Sequence, residues 1–199
     1  WQRPGRFPGR ILYQWHLAFH DQPRVTELAT MAQARLAGQP GLDMVVPHLL
    51  HLTTLIVGFA DEISQSTVDK MVSEARQRLT TVAPIPVTMG RIGYHSQAVA
   101  LVVEPLRALD PILDAVRDAT AAAGCAGHTD TDPWIPHVSV AYSNSDGPFA
   151  PIIDALGHSL PKIQVNIKSV SLVSQTQVGH SWQWQPAAEV VLTGDQVTH

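Results

Sequence analysis

The order helix, apolar strand, helix, strand, strand can be read twice along this chain, and each copy carries a histidine at the same place in its apolar strand. The first copy runs from about Val25 to Val103 and the second from about Pro111 to Thr193. A duplication of supersecondary order restricts the fold severely, because neither copy can bury its apolar faces alone and the two must share a core. Related by an approximate two-fold axis, the copies bring both histidine strands to one central cleft.

The elements follow from hydrophobic period. Ile11–Phe19 alternates as a strand, with Tyr13, Trp15, Leu17 and Phe19 on one face and Gln14, His16 and Ala18 on the other. Val25–Ala37 has helical spacing and is stopped by Gly38. Leu49–Val57 is the first histidine strand. Val68, Met71, Val72, Ala75, Leu79 and Val82 form one helical stripe, for which Ser66 and Asp69 are expected to make a capping box and Pro84 the stop. Ile85–Ile92 and Ala98–Val103 read as strands joined by a turn around Gly93.

In the second copy, Asp110 is expected to cap a helix that begins at Pro111 and ends at Gly124. A polar loop over Gly127–Asp132 leads to the second histidine strand, Pro136–Tyr142, and Phe149–Leu156 reads as a short helix. Ile163–Val173 alternates with a change of phase, which predicts a bulge near Lys168. Trp182–Thr193 is strand-like but interrupted by Pro186, and residues 1–9 read as an irregular lead-in.

Within the two apolar strands stand the triplets His51-Leu52-Thr53 and His137-Val138-Ser139. Side chains two apart in a strand share a face, so each triplet projects an imidazole and a hydroxyl together. Of the ten histidines, only these two have Ser or Thr two positions on. Chance alone supplies roughly one such match, so the spacing by itself is a weak signal. It gains weight from the apolar setting, from Pro47 and Pro136 just upstream, and above all from its equivalent place in both copies. Two facing pairs make a site with two proton-transfer groups and two neutral hydrogen-bond donors, which suits a phosphodiester.

Composition narrows the partners. With 199 residues, 45% of them hydrophobic, the chain supports one substantial domain or two small lobes on a shared core. Its net charge of −4, with Lys and Arg scattered, argues against a long nucleic-acid duplex as partner. A small nucleotide or the end of an RNA strand demands less. The lone Cys125 rules out an internal disulfide framework, suits a reducing, cytoplasmic setting, and reads as a small apolar residue near a helix end. No apolar run approaches membrane-span length and no N-terminal signal pattern is visible. A metal site is the rival for the histidines, but His48 and His51 could both ligate only from a helix, no acidic or Cys ligand stands nearby, and a His-Glu-x-x-His signature is absent. No metal and no cofactor are expected.

Two His-x-Thr/Ser motifs, one in each half of a duplicated α+β chain, resemble the two-histidine (2H) phosphoesterase superfamily, and within it the bacterial 2′-5′ RNA ligases and RNA 2′,3′-cyclic phosphodiesterases. The resemblance covers nearly the whole chain from about Ile11 and is best over Trp134–Ser143. The second motif, continued by Val140, fits the family's His-apolar-Thr/Ser-apolar pattern. The first departs from it at Thr54, which faces away from His51. The resemblance implies one domain over residues 1–199, made of two pseudo-symmetric lobes of about 25–103 and 105–193, with antiparallel sheets lining a cleft and helices outside. It also implies metal-free cleavage of 2′,3′-cyclic phosphates, with His51 and His137 as the catalytic pair and Thr53 and Ser139 holding the phosphate oxygens. The partner implied is a nucleotide or RNA terminus carrying a cyclic phosphate, with no obligatory protein partner and no membrane. The alternative is an inactive module of the same fold that binds nucleotides or RNA ends.

The chemistry fits the residues. Opening a cyclic phosphate takes a base for water and an acid for the departing sugar oxygen, and imidazole serves as either near neutral pH. Hydroxyls stabilise phosphoryl charge without changing protonation. His16, Tyr94, Trp134 and Tyr142 are further candidates for lining the cleft, with core packing as the competing role for each aromatic ring.

Overall fold

In chain order the elements are β1 (Leu12–Ala18), α1 (Pro23–Leu36), β2 (Leu42–Met44), β3 (His51–Phe59), α2 (Gln65–Leu79), β4 (Ile85–His95), β5 (Ala98–Glu104), α3 (Asp110–Ala122), β6 (His137–Ser143), α4 (Ala150–Leu156), β7 (Ser159–Ile167), β8 (Ser169–Val178) and β9 (Ser181–Val191). The computed structural model describes Phe7 and residues 9–195, so most of the expected lead-in over residues 1–9 lies outside the described residues.

The strands form two antiparallel sheets. One has the order β3-β1-β8-β9 and the other β2-β6-β5-β4-β7. Helices α2 and α3 pack together and against the first sheet, while α1 and α4 pack together beside the second. The fold is therefore α+β, with two sheets and helices outside them, as the pattern predicts. Each helix earns its place by a buried stripe: Val25, Leu28, Ala29, Ala32 and Leu36 on α1, and Val68, Met71, Val72, Ala75 and Leu79 on α2. Trp15, fully buried on β1, ties the first sheet to α3 by donating from Nε1 to Thr120 Oγ1 at 3.1 Å.

The two sheets do not divide where the sequence halves do. The first histidine strand, β3, shares its sheet with β8 and β9 from the second copy, and the second histidine strand, β6, pairs with β5 of the first. Lobes of about 25–103 and 105–193 are thus not the physical units, because strands are exchanged between the halves. Hydrophobic period defines a strand but not its partner, and pairing is settled by long-range packing.

Several local expectations are corrected for identifiable reasons. Ser64, not Ser66, caps α2, its side chain accepting from Thr67 N. The turn after β4 falls at Ser96–Gln97, and Gly93 remains inside the strand, where an added Cβ would meet Val102 Cγ2 at 2.9 Å. The change of phase at Lys168 is no bulge: β7 ends at Ile167 in one sheet and β8 begins at Ser169 in the other. Pro186 leaves β9 continuous as an edge strand but sits beside a register shift, where Ala187 is passed over between the Leu172–Ala188 and Val173–Pro186 pairs. The short strand β2 carries too few residues to show a period and was not legible from residue pattern.

Cys125 is half-buried beyond the end of α3, and burial pushes its thiol up from the ordinary range. Among the described residues, no helix is long and apolar enough to cross a membrane.

Candidate active site

A cavity of about 630 Å³ opens between the two sheets. Both motifs stand on its wall: His51 and Thr53 from β3, His137 and Ser139 from β6. The strand alternation that links an imidazole to the hydroxyl two residues on places all four side chains on one cavity. Thr54, the departure from the motif pattern, is buried on the opposite face.

The two histidines are held in the same way. His51 Nδ1 lies 2.7 Å from the carbonyl oxygen of Leu49, and His137 Nδ1 lies 2.7 Å from that of Ile135. A carbonyl can only accept, so Nδ1 is the protonated nitrogen in both rings. Each neutral ring then leaves Nε2 with a lone pair for proton transfer. In each case the acceptor is the residue two before the histidine, so the equivalence of the motifs extends to the bond that orients them.

Their surroundings differ. His51 is 9% exposed and its ring stacks on His16, with Trp184 edge-on to both. His137 is more open, and its Nε2 lies 3.9 Å from Asp130 Oδ2. Asp130 belongs to the polar loop before β6 and lines the cavity together with His128. Ile56 and His128 exchange backbone hydrogen bonds at 2.8 Å, which fastens this loop to the first motif strand.

Of the further candidates, Tyr94 and Tyr142 line the cavity, and His16 and Trp134 do not. His16 is fully buried behind His51. Trp134 donates from Nε1 to the carbonyl of Thr53 at 3.3 Å, linking the approach to the second motif with the heart of the first. The Tyr94 hydroxyl donates to the Gly157 carbonyl, and burial raises its pKa above the ordinary tyrosine value, so it is a neutral donor. The wall also holds Gln14 and, not singled out for it in the sequence reading, Gln175 and Trp182. Gln14 shares a face of β1 with His16, which was the available signal. Nothing local marked Gln175, because β8 reaches this wall only by pairing with β1.

The ionisable groups on the wall are His51, His95, His128, His137, Asp130, Tyr94 and Tyr142, with no Lys or Arg among the described residues. Among the described residues, no three His, Cys, Asp or Glu side chains converge as a metal site requires.

Fold and wall together define a protein built around a pair of histidine–hydroxyl motifs. A family model of the 2′-5′ RNA ligase superfamily matches residues 20–179, and the chain belongs to that superfamily of two-histidine phosphoesterases. Solved structures share the fold at low identity. The Thermus thermophilus protein TT0787 aligns with a TM-score of 0.70 and 17% identity over 94% of this chain and 100% of its own. E. coli LigT, crystallised with NADP+, aligns with a TM-score of 0.67 and 16% identity over 94% of this chain and 99% of its own. The MHV ns2 PDE domain aligns with a TM-score of 0.60 and 11% identity over 82% of this chain and 99% of its own. No curated protein matches the chain.

Proposed function

We propose that the protein is a phosphoric diester hydrolase that opens 2′,3′-cyclic phosphates, on RNA ends or on small nucleotides, by acid–base catalysis from His51 and His137. The observation that carries this reading is the matched restraint of the two rings: each holds its Nδ1 proton on a main-chain carbonyl, and both line a cavity that also holds Thr53 and Ser139. In the reaction one histidine takes a proton from water as its oxygen attacks phosphorus. The bond from phosphorus to one ribose oxygen breaks, and the other histidine, entering protonated, gives its proton to that oxygen. The product is a phosphomonoester. Thr53 and Ser139 donate to the non-bridging oxygens, where charge gathers in the transition state.

Electrostatics favours a substrate with little charge. A nucleic-acid strand is held by Lys and Arg on its phosphates, whereas among the described residues this wall offers imidazoles and one carboxylate as its charged or readily charged groups. A single cyclic diester, terminal or on a mononucleotide, carries one negative charge and fits. The structural relative E. coli LigT has been crystallised with 3′-AMP, ATP, NADP+ and phosphate, which supports a nucleotide or phosphate ligand without selecting among charges.

The test is turnover of 2′,3′-cyclic nucleotides and of an oligonucleotide ending in a cyclic phosphate, with and without EDTA, beside His51→Ala and His137→Ala. Hydrolysis that resists EDTA and is lost in both variants is expected. Full activity in either variant overturns the two-histidine mechanism, and inhibition by EDTA points to a metal. Cyclic nucleotide that is bound but returned unchanged identifies a binding module.

A further inference from the structure

Among the described residues, Asp130 is the one carboxylate on the cavity wall, and the wall holds no Lys or Arg to pair with it. Its Oδ2 lies 3.9 Å from Nε2 of His137, too far for a direct hydrogen bond. The Nδ1 bond to the Ile135 carbonyl leaves Nε2 of the neutral ring as an acceptor. A carboxylate oxygen is an acceptor too. Two acceptors thus face each other at a distance that a donor of two protons bridges.

Both acceptors are held in place. Ile56 and His128 exchange backbone hydrogen bonds at 2.8 Å, two residues before Asp130, and tie the loop to the first motif strand. Beyond Asp130, Thr131 Oγ1 accepts from the Ile135 N–H at 3.1 Å, and the Ile135 carbonyl accepts from His137 Nδ1. One residue therefore anchors the loop beside the carboxylate and orients the imidazole that faces it. Thr129 Oγ1 donates to the Thr131 carbonyl at 2.9 Å, which closes the turn around Asp130.

We propose that Asp130 and His137 together hold the water that attacks phosphorus. The inference rests on the cyclic-phosphate reading of this cavity and adds to it a residue and a direction of proton flow. One water proton points to His137 Nε2 and the other to Asp130 Oδ2. Hydrogen bonds of about 2.8 Å to each span the separation with a bend at the water oxygen. The lone pairs of that oxygen then point away from both groups, toward the ligand. As the oxygen bonds to phosphorus, the first proton passes to Nε2, and the second stays on the new P–OH, still held by Asp130. The bond from phosphorus to one ribose oxygen breaks. His51, protonated beside the anionic phosphate, gives its proton to that oxygen. His137 is thereby the base and His51 the acid. Asp130 transfers no proton and lowers the barrier by fixing the orientation of the water.

Methanol separates this role from others, because it has one hydroxyl proton and can satisfy only one of the two acceptors. The full chain is given adenosine 2′,3′-cyclic phosphate in water–methanol mixtures, and monoester and methyl diester are counted at initial rates. The parent protein is expected to form methyl diester in less than proportion to the methanol present. Asp130→Ala should lower hydrolysis by about tenfold to a hundredfold, chiefly in kcat, and methanolysis by much less. Asp130→Asn keeps an acceptor oxygen and should recover part of the loss. Melting curves report whether the variants fold, and the partition of the parent protein needs no variant. Three results overturn the water-holding role while cyclic-phosphate hydrolysis stands: parental hydrolysis in Asp130→Ala, equal losses with the two nucleophiles, or a parent protein that takes methanol in proportion. No turnover by the parent protein overturns both.

Discussion

The imidazole rings of His16 and His51 lie in parallel, with centroids 4.2 Å apart and planes within 12° of each other. Trp184 meets both edge-on, at 5.8 Å from His16 and 6.0 Å from His51. The same tryptophan donates from Nε1 to the Leu49 carbonyl, the oxygen that also accepts from His51 Nδ1. One face and one ring nitrogen of His51 are thereby fixed by groups that do not line the cavity. In the proposed reaction such a backing holds the His51 ring to the tolerance that acid–base chemistry needs.

On the proposed mechanism His16 is a positioning residue for His51. His16→Ala opens space behind the ring and should lower kcat by about tenfold to a hundredfold, with a much smaller change in KM. His16→Phe, which restores an aromatic face, should recover most of the loss. If both variants turn over substrate like the parent protein, the stack has no part in the reaction.

The two Nδ1 bonds make a prediction that needs no substrate. At a pH well above the ordinary histidine range, about 6.5, nitrogen NMR should place the proton of both His51 and His137 on Nδ1. Finding it on Nε2 in either ring would remove the feature from which the shared mechanism is argued.

Trp134 is expected to matter through one hydrogen bond and its packing, since its ring is off the cavity wall. Trp134→Phe keeps an aromatic ring but deletes the donor to the Thr53 carbonyl. A loss of about 0.5–1.5 kcal/mol in urea unfolding is expected. A variant as stable as the parent would mean that the contact contributes nothing to holding the second motif's approach against the first.

Much of this was legible in the chain, for particular reasons. The stripes on α1 and α2 appear in the sequence as they do in the fold, because helical period is a local property. The motif histidines and hydroxyls share a face because β-structure alternates, whatever the strand pairs with. Tyr94 and Tyr142 were found through their nearness to motif or turn. His16 was placed on the correct face of β1 and assigned the wrong role, since alternation gives a direction but not what occupies it.

The sequence by itself determined most of the elements, though not β2 or the division between β7 and β8, together with the pairing of an imidazole with a hydroxyl in each motif. These rest on dihedral preference and side-chain period over a few residues. Only the tertiary structure decided that the halves exchange strands, that β8 carries Gln175 to Gln14 across 161 positions of chain, and that Asp130 stands near His137. Those relations depend on which edges pair and which faces pack. That choice is made by the whole core at once, and no stretch of sequence short enough to have a period records it.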